Sequence, residues 1–235
     1  MINRLLRRLR RESLLDKAAR FVACEMIEGD YLEFGVYQGT TFTRAYRALK
    51  EQFADRMQLQ IGGDDAASSN VRRQEIWNNM RFFAFDSFEG LPALTGQDTA
   101  TADFEKGQYA FSVDEFRRCV RKGGVPDDRV RIVPGWFDNT CTETTRQAHE
   151  LTRAALVWID ADLYSSAKTA LDFITPLLQD GTVIVFDDWY SYKGNPKEGE
   201  QRAFHEWQHQ LTGKFVVNEY QKETWKRNSF IVSTA

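Results

Sequence analysis

The 235-residue chain reads as an α/β protein with a doubly wound, mostly parallel sheet that ends in an antiparallel C-terminal hairpin. Three observations predict this. Short β-rich runs alternate with amphipathic segments along most of the chain. The runs ALVWI (155–159) and TVIVF (182–186) are apolar without alternation, as strands covered on both faces require. Only seven residues, Gln221 to Arg227, separate the last two strand-like runs. A parallel crossover takes ~10–12 residues or more, so that pair should be a hairpin.

Taken in order, DYLEFGV (30–36) is a strand and TTFTRAYRALKEQF (40–53) a helix. MRFFAFDSF (80–88) is a strand, and SVDEFRRCVRKGG (112–124) a helix capped by Ser112 and stopped by glycine. RVRIVPG (129–135) is a strand, followed by a helix over about 140–152. AALVWIDAD (154–162) is a strand and SSAKTALDFITPLL (165–178) a helix; GTVIVFDDW (181–189) is a strand and EGEQRAFHEWQHQL (198–211) a helix. KFVVNEY (214–220) and NSFIVSTA (228–235) form the closing hairpin. Two regions read as insertions in a domain spanning 30–235. One is polar, 55–79; the other, 90–111, follows the second strand at the carboxyl edge, where ligands bind in open α/β sheets, and is a candidate acceptor-binding lid.

Residues 1–29 form a basic amphipathic segment. Arg4, Arg7, Arg8, Arg10 and Arg11 alternate with Leu5, Leu6 and Leu9. Such a helix suits a membrane surface or an acidic partner. The favoured reading is the solvated start of a helix that docks Leu14, Leu15, Ala18, Phe21 and Val22 on the body, with a homodimer contact as an option. A formal net charge of −3 gives no global basic field, so nucleic acid is not expected as a partner. Cys24, Cys119 and Cys141 are an odd, scattered set without a C-x-x-C, as inert thiols of a reducing compartment would be. No apolar run approaches the ~18–20 residues of a membrane span, and no signal-peptide core is visible, so a cytoplasmic location is expected.

Chemistry-bearing residues fall at strand ends. EFGVYQG carries Glu33, Gly35 and Gly39, where glycine lets the backbone turn tightly and approach a ligand. Asp86 ends the second strand, and a carboxylate there suits both hydroxyls of an adenosine ribose. WIDADLYSSA and VIVFDDWY bring Asp160, Asp162, Asp187 and Asp188 to one edge if their strands are neighbours. Converging carboxylates repel unless a cation or proton offsets them, and oxygen-only ligands favour Mg²⁺ over zinc. Asp160, Asp187 and Asp188 are the candidate metal ligands; Asp162 is assigned to capping the next helix.

EFGVYQG, FAFDSFEGLP, RVRIVPGWFDNT and DADLYSSAKTALDFITPLLQDGTVIVFDDW, in that order, resemble the macrocin O-methyltransferase family, from about Asp30 to Trp189. The final hairpin likewise resembles the class I methyltransferase sheet. The resemblance implies S-adenosylmethionine (SAM) and Mg²⁺ as cofactors. It implies that Glu33, Gly35 and Gly39 border the methionine part of SAM, that Asp86, with Ser87 beside it, holds the ribose, and that Gly135 and Trp136 lie near the adenine. Asp160, Asp187 and Asp188 match the family's metal carboxylates, and Asp160 is the preferred proton acceptor. The implied acceptor is a small-molecule hydroxyl, on a sugar or glycosylated natural product. Tyr37, Phe88, Trp136 and Tyr164 are candidate walls of a partly dry site, though packing is the favoured reading for any one of them. A non-catalytic SAM- or nucleotide-binding module is the second reading, and a nicotinamide-dependent oxidoreductase the third.

HEWQH (205–209) fits the H-E-x-x-H pattern of zinc peptidases. Thr212 and Phe215 stand where the longer metzincin pattern needs glycine and histidine, and Phe204, Trp207 and Leu211 recur at helical spacing. The segment therefore reads as an amphipathic cover helix.

Overall fold

A computed structural model describes residues 12–58, 64–94, 96, 98 and 106–235. The sheet is built from β1 (Asp30–Phe34), β2 (Phe82–Asp86), β3 (Val130–Pro134), β4 (Ala154–Ile159), β5 (Val183–Phe186), β6 (Phe215–Glu223) and β7 (Arg227–Thr234). Their order is β3-β2-β1-β4-β5-β7-β6. The first five are parallel; β7 runs antiparallel to both β5 and β6. This is the expected sheet, with the closing pair a hairpin turned by Thr224–Lys226. Every residue of β1, β4 and β5 is buried, which accounts for their unbroken apolar sequences.

One face is covered by α1 (Leu14–Glu25), α2 (Thr40–Gln58), α3 (Asp64–Asn79) and α4 (Val113–Lys122). The other is covered by α7 (Tyr164–Ile174) and α8 (Gly199–Gln210), with the short α5 (Phe137–Thr140) and α6 (Glu143–Ala148) beside them. Ser13 and Asp16 form a reciprocal capping box at the start of α1, which buries Leu14, Leu15, Ala18 and Val22. Its docking is the favoured sequence reading; the arginine-rich stretch 1–11 lies outside the described residues. Ser112 caps α4 as expected, its side chain accepting the Glu115 N–H.

Three elements differ from expectation. The polar segment 55–79 is mostly helix: α2 runs on to Gln58 and α3 follows. Polarity hides the two anchors of α3, Ile76, which is buried, and Trp77, whose ring lies 5.7 Å from Tyr46 and 5.8 Å from Phe53. The helix expected over 140–152 is two short ones, because Thr142 leaves helical geometry to cap α6. The α7 helix ends at Ile174 rather than Leu178, and Pro176 turns the chain through a tight 3₁₀ turn.

Strand order reverses between β1 and β4, so their carboxyl ends open a crevice, the usual ligand position in such sheets.

Candidate active site

The backbone ladder continues past the strand ends. Asp160 N–H donates to Phe34 O at 2.8 Å, and Asp187 N–H to Ile159 O at 2.9 Å. Asp160, Asp187 and Asp188 are thereby delivered to one point by the adjacent strands β4 and β5. One carboxylate oxygen from each lies within 4.8 Å of the others. Asp160 and Asp187 line a cleft of about 260 Å³, whose walls include Gly35, Tyr37, Asp86, Trp136, Asp162 and Lys226, and Asp188 is buried beside them.

The cluster is densely charged. Asp187 Oδ1 accepts Arg227 Nε at 2.6 Å, and Asp188 Oδ1 accepts Ser191 Oγ at 2.7 Å as well as the Lys226 ammonium. Burial, then the charges of Asp187, Asp162 and Asp188, push Asp160 well above the usual carboxylate range. Asp188 Oδ2 is buried, and among the described residues no donor reaches it. An oxygen-only donor set of this spacing, with one orphaned oxygen, fits a hard divalent cation.

Asp162 does not cap α7. The N-cap of that helix is Leu163, with no side-chain bond, and Asp162 takes a left-handed backbone (φ 54°). Its carboxyl faces Asp188, and burial followed by that charge raises its pKa well above normal. The sequence reading therefore placed it in the wrong role: it belongs to the carboxylate cluster.

Glu200 is a buried member that the sequence reading missed. Its Oε2 accepts the Asp188 N–H at 2.9 Å and its Oε1 the Ala161 N–H at 3.5 Å, so it clamps the two loops that carry the cluster. At the start of α8 it looks like any acidic residue of a helix's first turn. Lys226 and Arg227 were missed too, having read as part of a connecting turn. A bulge in β6 between Glu219 and Lys222, bonded through Ser229 Oγ to Gln221, bends the hairpin, and Tyr190 N–H donates to Lys226 O at 3.0 Å to hold its turn by the cluster.

On the other side of the cleft, Asp86 Oδ2 accepts the N–H groups of Val36 (2.8 Å) and Tyr37 (3.2 Å), and its Oδ1 that of Phe88 (2.7 Å). The carboxylate thus shapes the β1 turn while it borders the cleft beside Ser87. Glu33 is buried beneath the floor, accepting the Tyr31 hydroxyl, and Gly39 packs against Phe116 and Val120 of α4. Gly135, at φ 133°, donates its N–H to Asp86 O at 2.8 Å and leads into Trp136 on the cleft wall. Among the candidate aromatic walls, Tyr37 and Trp136 line the cleft. Phe88 packs on Phe116, and Tyr164 donates its hydroxyl to Glu206 at 2.6 Å.

Burial, with Asp187 and Asp86 adding to it, raises the Glu33 pKa well above 4.5 despite the bond from Tyr31. The folded state then holds a proton that the unfolded chain releases, so this group's contribution to stability falls as pH rises through and above the ordinary carboxylate range. Glu33→Gln is expected to flatten that dependence while keeping most of the stability at low pH. Urea midpoints between pH 4.5 and 8 check this; an unchanged slope would show that Glu33 does not carry it.

In HEWQH, Phe204 and Trp207 are buried and His205 and His209 exposed, and Glu206 is bonded to Tyr164 and Arg202. Among the described residues, the three aspartates are the only group of metal-ligating side chains.

Sheet order, reversed last strand and a carboxyl-edge cleft define a class I methyltransferase fold. The solved O-methyltransferase NovP superposes with a TM-score of 0.66 at 18% identity, over 92% of this chain and 77% of that one. The calicheamicin methyltransferase CalS11 gives 0.64 at 18% identity, over 92% and 76%. The chain belongs to the macrocin O-methyltransferase (TylF) family, whose sequence profile matches residues 67–215. It is 29% identical over 189 residues to 8-demethyl-8-(2,3-dimethoxy-α-L-rhamnosyl)-tetracenomycin-C 4'-O-methyltransferase of Streptomyces olivaceus, covering 77% of this chain and 60% of that protein. It is 26% identical over 212 residues to mycinamicin III 3''-O-methyltransferase of Micromonospora griseorubida, covering 86% and 70%. The chain thus spans about three-fifths to seven-tenths of the length of these relatives. No helix among the described residues is long and apolar enough to cross a membrane.

Proposed function

We propose that the protein is a SAM-dependent O-methyltransferase that acts on a hydroxyl of a sugar or glycosylated natural product, with Mg²⁺ assistance. One observation carries this reading: the cofactor-side residues Gly35, Asp86, Ser87 and Trp136 and the carboxylates Asp160 and Asp187 border a single cleft. A methyl donor on the β1–β2 side would lie beside an acceptor on the β4–β5 side. The relatives' names, which specify sugar hydroxyls in two cases, support the acceptor class. Three free cysteines suit a reducing cytoplasm.

In the reaction, the acceptor oxygen attacks the methyl carbon in line; the O–C bond forms as the C–S bond breaks, and the sulfonium becomes a neutral thioether. The leaving group is good, so the protein's task is to position and deprotonate the nucleophile. Asp86 and the turn it fixes hold the ribose end, and Trp136 walls the adenine. Asp160, at the end of β4 on the cleft lining, takes the hydroxyl proton. Mg²⁺ held by Asp160, Asp187 and Asp188 would supply Lewis acidity, lowering the pKa of the hydroxyl. Glu200 keeps the two aspartate loops in register.

Incubation with SAM, Mg²⁺ and a panel of glycosides and phenols, following S-adenosylhomocysteine release, tests the reading. Methylation of a glycoside is the expected result. SAM binding by calorimetry without turnover on any acceptor would instead favour a binding module.

A further inference from the structure

Two cations reach the carboxylate cluster from adjacent positions of the β6–β7 hairpin, and they are held in different ways. Arg227 is fixed on several sides. Its Nε donates to Asp187 Oδ1 at 2.6 Å, its Nη1 donates to Glu223 Oε2 at 3.1 Å, and its guanidinium lies 5.3 Å from the Trp158 ring centre. Glu223 Oε1 in turn accepts the Leu14 N–H at 2.9 Å, which ties this chain of contacts to α1. The ammonium of Lys226 meets carboxylates alone among the described residues: Asp188 Oδ1, and Asp187 Oδ2 at 3.7 Å. Its side chain is 32% exposed and borders the cleft. The backbone beneath it is anchored through Lys226 O and by its N–H, which donates to Thr224 Oγ1 at 3.2 Å. The flexible stem therefore has freedom to swing without movement of the hairpin, whereas the planar fork of arginine is committed by its geometry.

We propose that Lys226 is a displaceable counter-ion of the carboxylate cluster, competing with a divalent cation for the oxygens of Asp188 and Asp187, while Arg227 is a permanent positioning residue for Asp187. The inference rests on the reading of these aspartates as metal ligands. Lys226 thereby sets the metal affinity of the site. A divalent ion that enters must turn the ammonium out towards the cleft mouth, and the ammonium keeps the buried carboxylates compensated when it returns.

Calorimetric titration of Mg²⁺ into the full chain, wild type against Lys226→Met, tests this; methionine keeps most of the stem and removes the charge. Loss of a competing, partly exposed ion pair is expected to tighten Mg²⁺ binding by about tenfold. The variant's thermal midpoint in EDTA should fall below that of the wild type and recover with Mg²⁺. Lys226→Gln serves as a second neutral variant should the first fold poorly. Arg227→Met should show no such gain, because Asp187 loses its anchor. Wild-type binding with an equal or weaker affinity in the Lys226 variants would overturn the inference and leave the metal reading standing. An equal gain in Arg227→Met would reduce the effect to net charge and overturn it as well. Absence of Mg²⁺ binding in both the wild type and the Lys226 variants would remove the metal reading, and the inference with it.

Discussion

Asp188→Asn is expected to lower methyl transfer by about 10²–10³-fold, the range seen when one preorganised electrostatic group is removed from an active site. Asparagine preserves the shape of the side chain, and Ser191 Oγ, 2.7 Å from Asp188 Oδ1, still finds an acceptor there. The fold should therefore survive. What is lost is the charge on the buried oxygen that no donor satisfies. SAM binding should change by no more than about threefold, since Asp86, Ser87 and Trp136 line the cleft and the buried Asp188 does not. EDTA should imitate the substitution and Mg²⁺ should reverse it in the wild type only. Single-turnover methylation and SAM calorimetry on the same samples separate the two steps. Full turnover of Asp188→Asn, or of the wild type in chelator, would take the metal out of the mechanism and leave Asp160 to act alone.

The sheet could be read from sequence because its signals are local. Apolar runs such as ALVWI have no polar face to hide, and seven residues between Gln221 and Arg227 exclude a crossover by length alone. The three metal-type aspartates were legible for a similar reason. Asp160 and Asp187 follow directly on strand ends and Asp188 is one residue further, so only the neighbourhood of β4 and β5 had to be assumed, and the sheet supplies it. What stayed hidden depends on contacts distant in the chain. Glu200 looks like a helix-start acid until Asp188 N–H is seen donating to it. Lys226 and Arg227 look like solvated turn residues until they are seen paired with Asp188 and Asp187. Asp162 was misassigned because a helix cap is the usual use of aspartate one or two residues before a helix, and nothing in its local sequence announces a left-handed backbone. The interior anchors Ile76 and Trp77 were missed because α3 is polar on most of its surface.

These hidden residues share a pattern. The strands deliver negative charge, and elements added later in the chain, α8 and the β6–β7 hairpin, deliver what holds it in place. Glu200 spends both oxygens on backbone N–H groups of the aspartate loops, and Arg227 spans from Asp187 to Glu223 and so to α1. Residues 199–235, which form α8 and the hairpin, therefore shape the carboxylate site without supplying a candidate ligand to it, and changes there should appear as altered Mg²⁺ affinity before altered fold.

Gly35→Ala is expected to do the most damage to the fold itself. Gly35 has φ 84°, and a Cβ built there would lie 2.0 Å from the backbone carbonyl oxygen of Asp160. A left-handed backbone costs a non-glycine residue roughly 1–2 kcal/mol, and overpacking a rigid neighbour typically adds 1–3 kcal/mol. A backbone oxygen has no rotamer to escape into, so relief requires the end of β4 to move away from β1, and Asp160 must move with it. Stability should fall by about 3 kcal/mol or more, read as a lower urea midpoint, and Mg²⁺ affinity should fall in whatever fraction remains folded. Two other glycines separate the causes. Gly213 has φ 79° with nothing within 4 Å of its added Cβ, so Gly213→Ala isolates backbone strain. At Gly39 the Cβ would meet the Phe116 ring and the Val120 methyl at 2.8 Å, side chains that have room to adjust. The expected order of loss is Gly35, then Gly39, then Gly213. A Gly35→Ala protein with the midpoint and metal affinity of the wild type would mean that the close approach of β1 to Asp160 is not what holds the carboxylates together.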